Sequence, residues 1–116
     1  MEEYTFVLCT RLKRKVFADK AVARRMSQLV TEAMPSGVYL HEFCIFPSAF
    51  AFTASVSDGI SLNAVSYAVR KATSAKIRGE FNKYHKMPSL WQRKFAITDK
   101  CAKELDGAEI DSLFLC

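Results

Sequence analysis

A chain of 116 residues, half of them hydrophobic and a quarter charged, can bury one two-layer core and is too apolar to stay disordered. The sequence has no apolar run near the roughly 20 residues of a membrane span, and its first residues lack the pattern of a signal peptide. We therefore expect a single domain over residues 1–116, located in the cytoplasm and without membrane contact.

The net charge of +5 is divided unevenly along the chain. Basic residues form two blocks, at residues 11–25 and 70–100, and residues 26–69 contain no Lys or Arg. The stretch KELDGAEID near the end is acidic. Because segregated basic charge is typical of proteins that bind polyanions, this distribution favours a nucleic-acid partner over a merely solvated basic surface.

The cysteines give no sign of a metal site. They are isolated in the sequence and form no CxxC pair, so a zinc knuckle is disfavoured. We expect reduced thiols, with neither a metal ion nor another cofactor. The four cysteines are Cys9, Cys44, Cys101 and Cys116.

The first half of the chain reads as strand, helix and strand. Residues 4–10, YTFVLCT, are rich in the aromatic and branched side chains of a strand. Asp19 can cap a helix that ends at the segment MPSG. Residues 38–46, VYLHEFCIF, are the second predicted strand.

The second half repeats this order. A turn at Pro47 leads into a third strand, after which Ser61 can cap a long helix. Residues 90–97, LWQRKFAI, read as a fourth strand, and a short acidic helix, in one piece or two, follows. The order predicts an α+β, ferredoxin-like (split βαβ) fold, with two helices on one face of a four-stranded antiparallel sheet.

The third strand carries an unusual face. Alternation directs Phe50 and Phe52 toward the helices and leaves Ala49 and Ala51 on the opposite, open face. That face has very small side chains where a sheet normally carries larger polar groups.

Several segments together resemble one protein family. TRLKRKVF follows the first strand, VRKATSAKIRGEF lies on the long helix, and LWQRKF begins the fourth strand. Over residues 4–114 the chain resembles the single-tyrosine HUH transposases, a family that includes the IS200-like and REP-associated tyrosine transposases. In that family the hairpin carries a His-hydrophobic-His pair that binds a divalent metal, and the last helix carries the nucleophilic tyrosine.

The resemblance implies that both halves of this chemistry are missing here. Ala49 and Ala51 occupy the two histidine positions, Leu113 occupies the tyrosine position, and no tyrosine follows Tyr84. A methyl group cannot ligate a metal, and without a phenol no phosphotyrosine can form. A deliberate double substitution would also leave Ala-Phe-Ala, but the absent tyrosine favours natural loss. We therefore expect no catalytic residues and no metal.

The candidate nucleic-acid contacts are mostly basic. The density of charge after the first strand exceeds what solubility requires, and Lys71 and Arg78 share one helix face. Trp91 is either a core anchor or a base-stacking platform. The full set is Arg11, Lys13, Arg14, Lys15, Arg70, Lys71, Arg78, Trp91, Gln92, Arg93 and Lys94.

His41 and Glu42 could be imagined as a displaced metal site. Adjacent strand residues point to opposite faces, so we expect at most one of them to face the alanines. A surface histidine with a hydrogen-bond partner is the favoured interpretation, and His85 is expected in a loop.

The leading hypothesis is a domesticated, catalytically inactive transposase-derived protein. It would bind single-stranded or hairpin DNA, with RNA as the alternative, and by family resemblance it would be a homodimer. One alternative is a protein-interaction module that uses the small-residue face and the acidic tail. The other is an active transposase or nuclease whose catalytic residues have relocated.

Overall fold

The computed structural model describes residues 1–114, so the predicted reduced thiol of Cys116 lies outside the described residues. Within this range four strands and three helices form the fold, joined in part by short 3-10 turns. They are β1 (Glu2–Thr10), α1 (Lys20–Ala33), β2 (Val38–Phe46), β3 (Ala49–Val56), α2 (Leu62–Glu80), β4 (Trp91–Thr98) and α3 (Gly107–Leu113). The 3-10 turns are Arg11–Lys13, Val16–Ala18, Asn82–Tyr84 and Ala102–Glu104. Within residues 1–114, no helix is both long and apolar enough to cross a membrane.

The strands form one antiparallel sheet in the order β2-β3-β1-β4. This order and the positions of α1 and α2 confirm the predicted split βαβ arrangement. Both predicted helix caps are present: the side chain of Asp19 accepts a hydrogen bond from Ala21 N, and that of Ser61 accepts one from Ala64 N.

The main core lies between the sheet and the helices. Phe6 of β1 is opposite Phe52 of β3, and their rings stack with centroids 4.8 Å apart. Helix α1 contributes an apolar stripe at helical spacing, in which Val22, Met26 and Val30 are fully buried.

The helical spacing of Leu62, Val65, Val69 and Ala72 predicts that they form the buried stripe of α2, and this is wrong at Ala72, which is exposed. The buried positions there are two polar residues, Thr73 and Ser74. Thr73 Oγ1 accepts a hydrogen bond from Trp91 Nε1 at 3.0 Å, and Ser74 Oγ accepts one from Leu90 N at 3.0 Å. These hydroxyls are buried because they bind the start of β4.

The face expected to be open is covered, which corrects the sequence-based prediction. Ala49 and Ala51 do lie on the side opposite α1 and α2, but they are only 2% and 0% exposed. The reason is the C-terminal segment, residues 101–114, which folds back across this face. Its residues Ala102, Leu105 and Ile110 form a second buried cluster with both alanines. Val7 and Cys9 of β1 complete that cluster.

Two backbone amides fasten the C-terminal segment to the sheet. Ala102 N donates to Thr53 Oγ1 at 2.9 Å, and Lys103 N donates to Glu42 Oε2 at 2.8 Å. Thr53 Oγ1 is also 2.7 Å from Thr5 Oγ1. The first donors of the Ala102–Glu104 turn are thus satisfied by side chains of the sheet rather than by water.

Replacing Thr53 by valine is expected to lower the free energy of unfolding by about 2 kcal/mol. Valine keeps the shape of threonine but leaves the buried amide of Ala102 without its acceptor. Urea denaturation measures the loss, and faster hydrogen exchange at the Ala102 amide locates it. Thr31→Val, the same change at an exposed position of α1, is the control. Equal stability of the two variants would show that the bond does not hold the segment.

A bulge in β2 changes the expected position of His41 and Glu42. The pairing of β2 with β3 shifts between Leu40 and Glu42, so one extra residue enters β2. His41 Nε2 is 2.5 Å from Ser55 Oγ, while Glu42 reaches the C-terminal segment. Both side chains therefore lie on the side of the sheet that carries Ser55 and the C-terminal segment, but neither belongs to the cluster around the two alanines.

Candidate nucleic-acid interface

A basic groove opens where β1 ends and β4 begins. Its larger part, of about 970 Å³, is bounded by the Arg11–Lys13 turn, by Tyr67 and Arg70 of α2, and by the segment 88–93. A smaller part, of about 210 Å³, continues past Arg11 to Arg14. Among the described residues, no Asp or Glu lines either part. The basic residues of this groove are Arg11, Lys13, Arg14, Arg70, Lys83, Lys86 and Arg93.

The Arg11–Lys13 turn has an uncommon backbone. Leu12 and Lys13 adopt φ angles of 58° and 54°. This left-handed conformation costs about 1 kcal/mol or more for each residue with a side chain. Arg11 N donates to Leu90 O at 2.9 Å, and Thr10 Oγ1 donates to Arg14 O at 2.7 Å, so both ends of the turn are tied down. These two hydrogen bonds, rather than burial of its side chains, hold the turn in place and leave its cations exposed to solvent.

Arg70 and Arg78 hold the groove wall. Arg70 Nη1 donates to Arg93 O at 2.7 Å, and partial burial lowers the pKa of its guanidinium. Arg78 donates from Nη1 to Met87 O at 2.9 Å and from Nε to Ser74 Oγ at 3.0 Å. Of these two predicted contact residues, Arg70 also lines the groove, whereas Arg78 acts behind it.

Trp91 is placed as a core anchor. Its side chain is 3% exposed, its Nε1 donates to Thr73, and its ring lies 5.6 Å from that of Phe17. The ring faces are therefore not free to stack on a base, and the base-stacking interpretation of Trp91 is disfavoured. The exposed aromatic residue of the groove is Tyr67, which is 60% exposed and has Lys71 Nζ 5.8 Å from its ring centroid.

The other predicted contacts divide between the groove and its surroundings. Lys15, Lys71 and Lys94 are exposed but do not line the groove. The residues that do line it are Arg11, Lys13, Arg14, Gln92 and Arg93. Sequence reasoning missed Lys83 and Lys86, although their position beside Pro88 in the basic run NKYHKMP was a signal. Lys83 is also paired with Asp19, at 2.7 Å.

The alanine face does not fit a divalent metal. Ala49 and Ala51 offer no donor atom and lie beneath Leu105 and Ile110. Burial raises the pKa of the neighbouring Cys9 thiol to about 11, so this sulfur is protonated near neutral pH. Within residues 1–114, no three His, Cys, Asp or Glu side chains are grouped to hold a metal ion.

Leu113, at the predicted tyrosine position, lies at the end of α3 and is 37% exposed. The side chain of α3 that covers the alanines is Ile110. Aliphatic side chains supply no nucleophile, so neither residue can replace a phenol.

The protein has an α+β fold in which α1 and α2 pack on one face of the sheet and the C-terminal segment covers the other. Comparison with known proteins places it in a family. A profile of IS200-like transposases matches residues 2–107. The chain belongs to the IS200-like transposase family. The match ends before most of α3, so it does not align Leu113. A search among curated proteins finds no match.

Two solved structures share the fold. One is a protein of Deinococcus radiodurans R1 assigned as a transposase, with a TM-score of 0.71 and 14% sequence identity. The alignment covers 96% of this chain and 86% of that one. The other is a REP-associated tyrosine transposase bound to a REP hairpin, with a TM-score of 0.54 and 11% identity. This chain aligns over 96% of its own length but spans only 63% of that protein.

Proposed function

We propose that this member of the IS200-like transposase family binds single-stranded or hairpin nucleic acid without cutting it. The observation that carries the proposal is the pairing of a groove lined by basic residues with an apolar, buried surface at the two alanines. The first supplies affinity for phosphates, and the second supplies neither a metal ligand nor a nucleophile.

The basic groove supports the binding half of the proposal. Arg11, Lys13 and Arg93 line one continuous depression, where two distant parts of the sequence, the turn after β1 and the start of β4, converge. Phosphate contacts of this kind give affinity that falls steeply as salt rises. A structural neighbour of low identity is bound to a REP hairpin, which suggests the kind of probe to try first.

The covered alanine face supports the inactive half. To restore a metal there, two histidines and an open coordination sphere would be needed, and the packing of Leu105 and Ile110 leaves space for neither. The cluster is apolar and well buried, so it contributes to stability rather than to chemistry.

A fluorescently labelled hairpin titrated with the protein tests the proposal. We expect binding at micromolar protein or tighter, with the logarithm of the affinity falling linearly as the logarithm of salt concentration rises. A DNA hairpin and an RNA hairpin of the same sequence distinguish the two chemistries. If neither the DNA hairpin nor the RNA hairpin bound in a salt-sensitive way, the proposal would be refuted.

The alternative of a protein-interaction module loses part of its basis, because the small-residue face that it needed is buried under the C-terminal segment. The alternative of relocated catalytic residues would be distinguished from our proposal by its product, a nicked or covalently linked strand.

The homodimer and the cytoplasmic location stay predictions. Sedimentation of the purified protein tests whether it is a homodimer.

A further inference from the structure

We infer that the basic groove takes an unpaired nucleotide whose base stacks on the ring of Tyr67. This inference rests on the proposed function and specifies which part of a nucleic acid the groove recognises. The starting observation is an aromatic ring that is exposed in the groove and not packed in the core.

Tyr67 lies on the groove side of α2 and is 60% exposed. The ring belongs to the groove lining together with Arg11, Arg70 and Arg93, and Lys71 Nζ lies 5.8 Å from its centroid. An aromatic ring among cations is the combination with which proteins hold single strands, because the cations follow the phosphates and the ring covers a base.

Another tyrosine shows that exposure alone is not the argument. Tyr39 of β2 is 56% exposed, close to the value for Tyr67. It lies on β2, an edge strand of the sheet, and unlike Tyr67 it does not line the basic groove. Tyr39 is therefore a matched control, an equally exposed tyrosine outside the basic groove.

The chemistry selects an unpaired base over a paired one. In a duplex both faces of an internal base are already covered by its neighbours, so a protein ring cannot stack on it without paying for unstacking. An unpaired tail or loop offers its base faces at once. The larger part of the groove, about 970 Å³, is at the upper end of the size range of small-molecule sites.

The test compares a blunt hairpin with the same hairpin carrying a short unpaired tail that contains 2-aminopurine. For the native protein we expect the tail to raise the affinity about tenfold, with quenching of the 2-aminopurine fluorescence on stacking. In Tyr67→Ala the ratio of the two affinities should fall to about one and the quenching should disappear, whereas Tyr67→Phe should keep both. Tyr39→Ala should behave like the native protein.

The outcomes separate the two proposals. Equal, salt-sensitive binding of both hairpins by the native protein would overturn this inference and leave the proposed function standing. A tail preference that survives in Tyr67→Ala would also overturn it. Failure of the native protein to bind either hairpin would overturn both.

Discussion

Replacing Ala51 by histidine is expected to lower the free energy of unfolding by about 3 kcal/mol or more, and not to create a metal site. Ala51 is 0% exposed and shares its cluster with Val7, Leu105 and Ile110. An imidazole there overfills a packed layer and leaves at least one ring nitrogen without a hydrogen-bond partner. The C-terminal segment would have to lift from the sheet to make room.

Urea denaturation with and without manganese measures both parts of this prediction. Ala75→His, an alanine-to-histidine change at an exposed position of α2, is the control and should cost less than about 1 kcal/mol. If manganese raised the midpoint of Ala51→His, or of Ala51→His combined with Ala49→His, a metal would be binding the native state. That result would mean that histidine substitutions can turn the covered face into a metal site.

Reversing the charge of three residues that line the groove is expected to weaken hairpin binding by more than about 100-fold. The variant combines Arg11→Glu, Lys13→Glu and Arg93→Glu. Each change removes a phosphate contact and adds repulsion, so the slope of log affinity against log salt should also become shallower by about two to three. All three side chains are exposed, so the fold should tolerate the changes.

A second triple variant controls for net charge. Lys20, Arg24 and Lys76 are exposed on α1 and α2, and none of them lines the groove. Their replacement by glutamate alters the total charge by the same amount but should weaken binding far less, because the long-range term is screened by salt. Equal loss in the two variants would mean that the protein attracts nucleic acid by net charge alone and has no defined interface.

The fold was predictable because its signals are local. Alternation identified β3, and the caps at Asp19 and Ser61 fixed the starts of α1 and α2. The order of these elements then leaves few topologies for a four-stranded sheet.

The covered face was not predictable, because it depends on contacts between distant parts of the chain. Nothing near Thr53 in the sequence shows that its hydroxyl accepts from the amide of Ala102. The acidic residues around Leu105 and Ile110 made the C-terminal segment look solvated, although these two apolar side chains bury it against β3. A bulge at His41 likewise leaves no mark in the pattern of side chains.

The groove was half predictable. Basic composition identified Arg11, Lys13 and Arg93 as candidate contacts, because charge density is visible in one dimension. The sequence does not show whether an aromatic side chain is buried in the core or exposed on the surface. Trp91 is buried with its indole N–H donated to Thr73, whereas the ring of Tyr67 is exposed in the groove.

One measurement tests most directly whether this protein binds nucleic acid and does not cut it. An end-labelled DNA hairpin with an unpaired flank is incubated with the protein in magnesium and in manganese, and the mixture is run on native and on denaturing gels. We predict a salt-sensitive shift on the native gel and an intact, unmodified strand on the denaturing gel. A nicked strand, or a labelled strand covalently attached to the protein, would contradict the proposal.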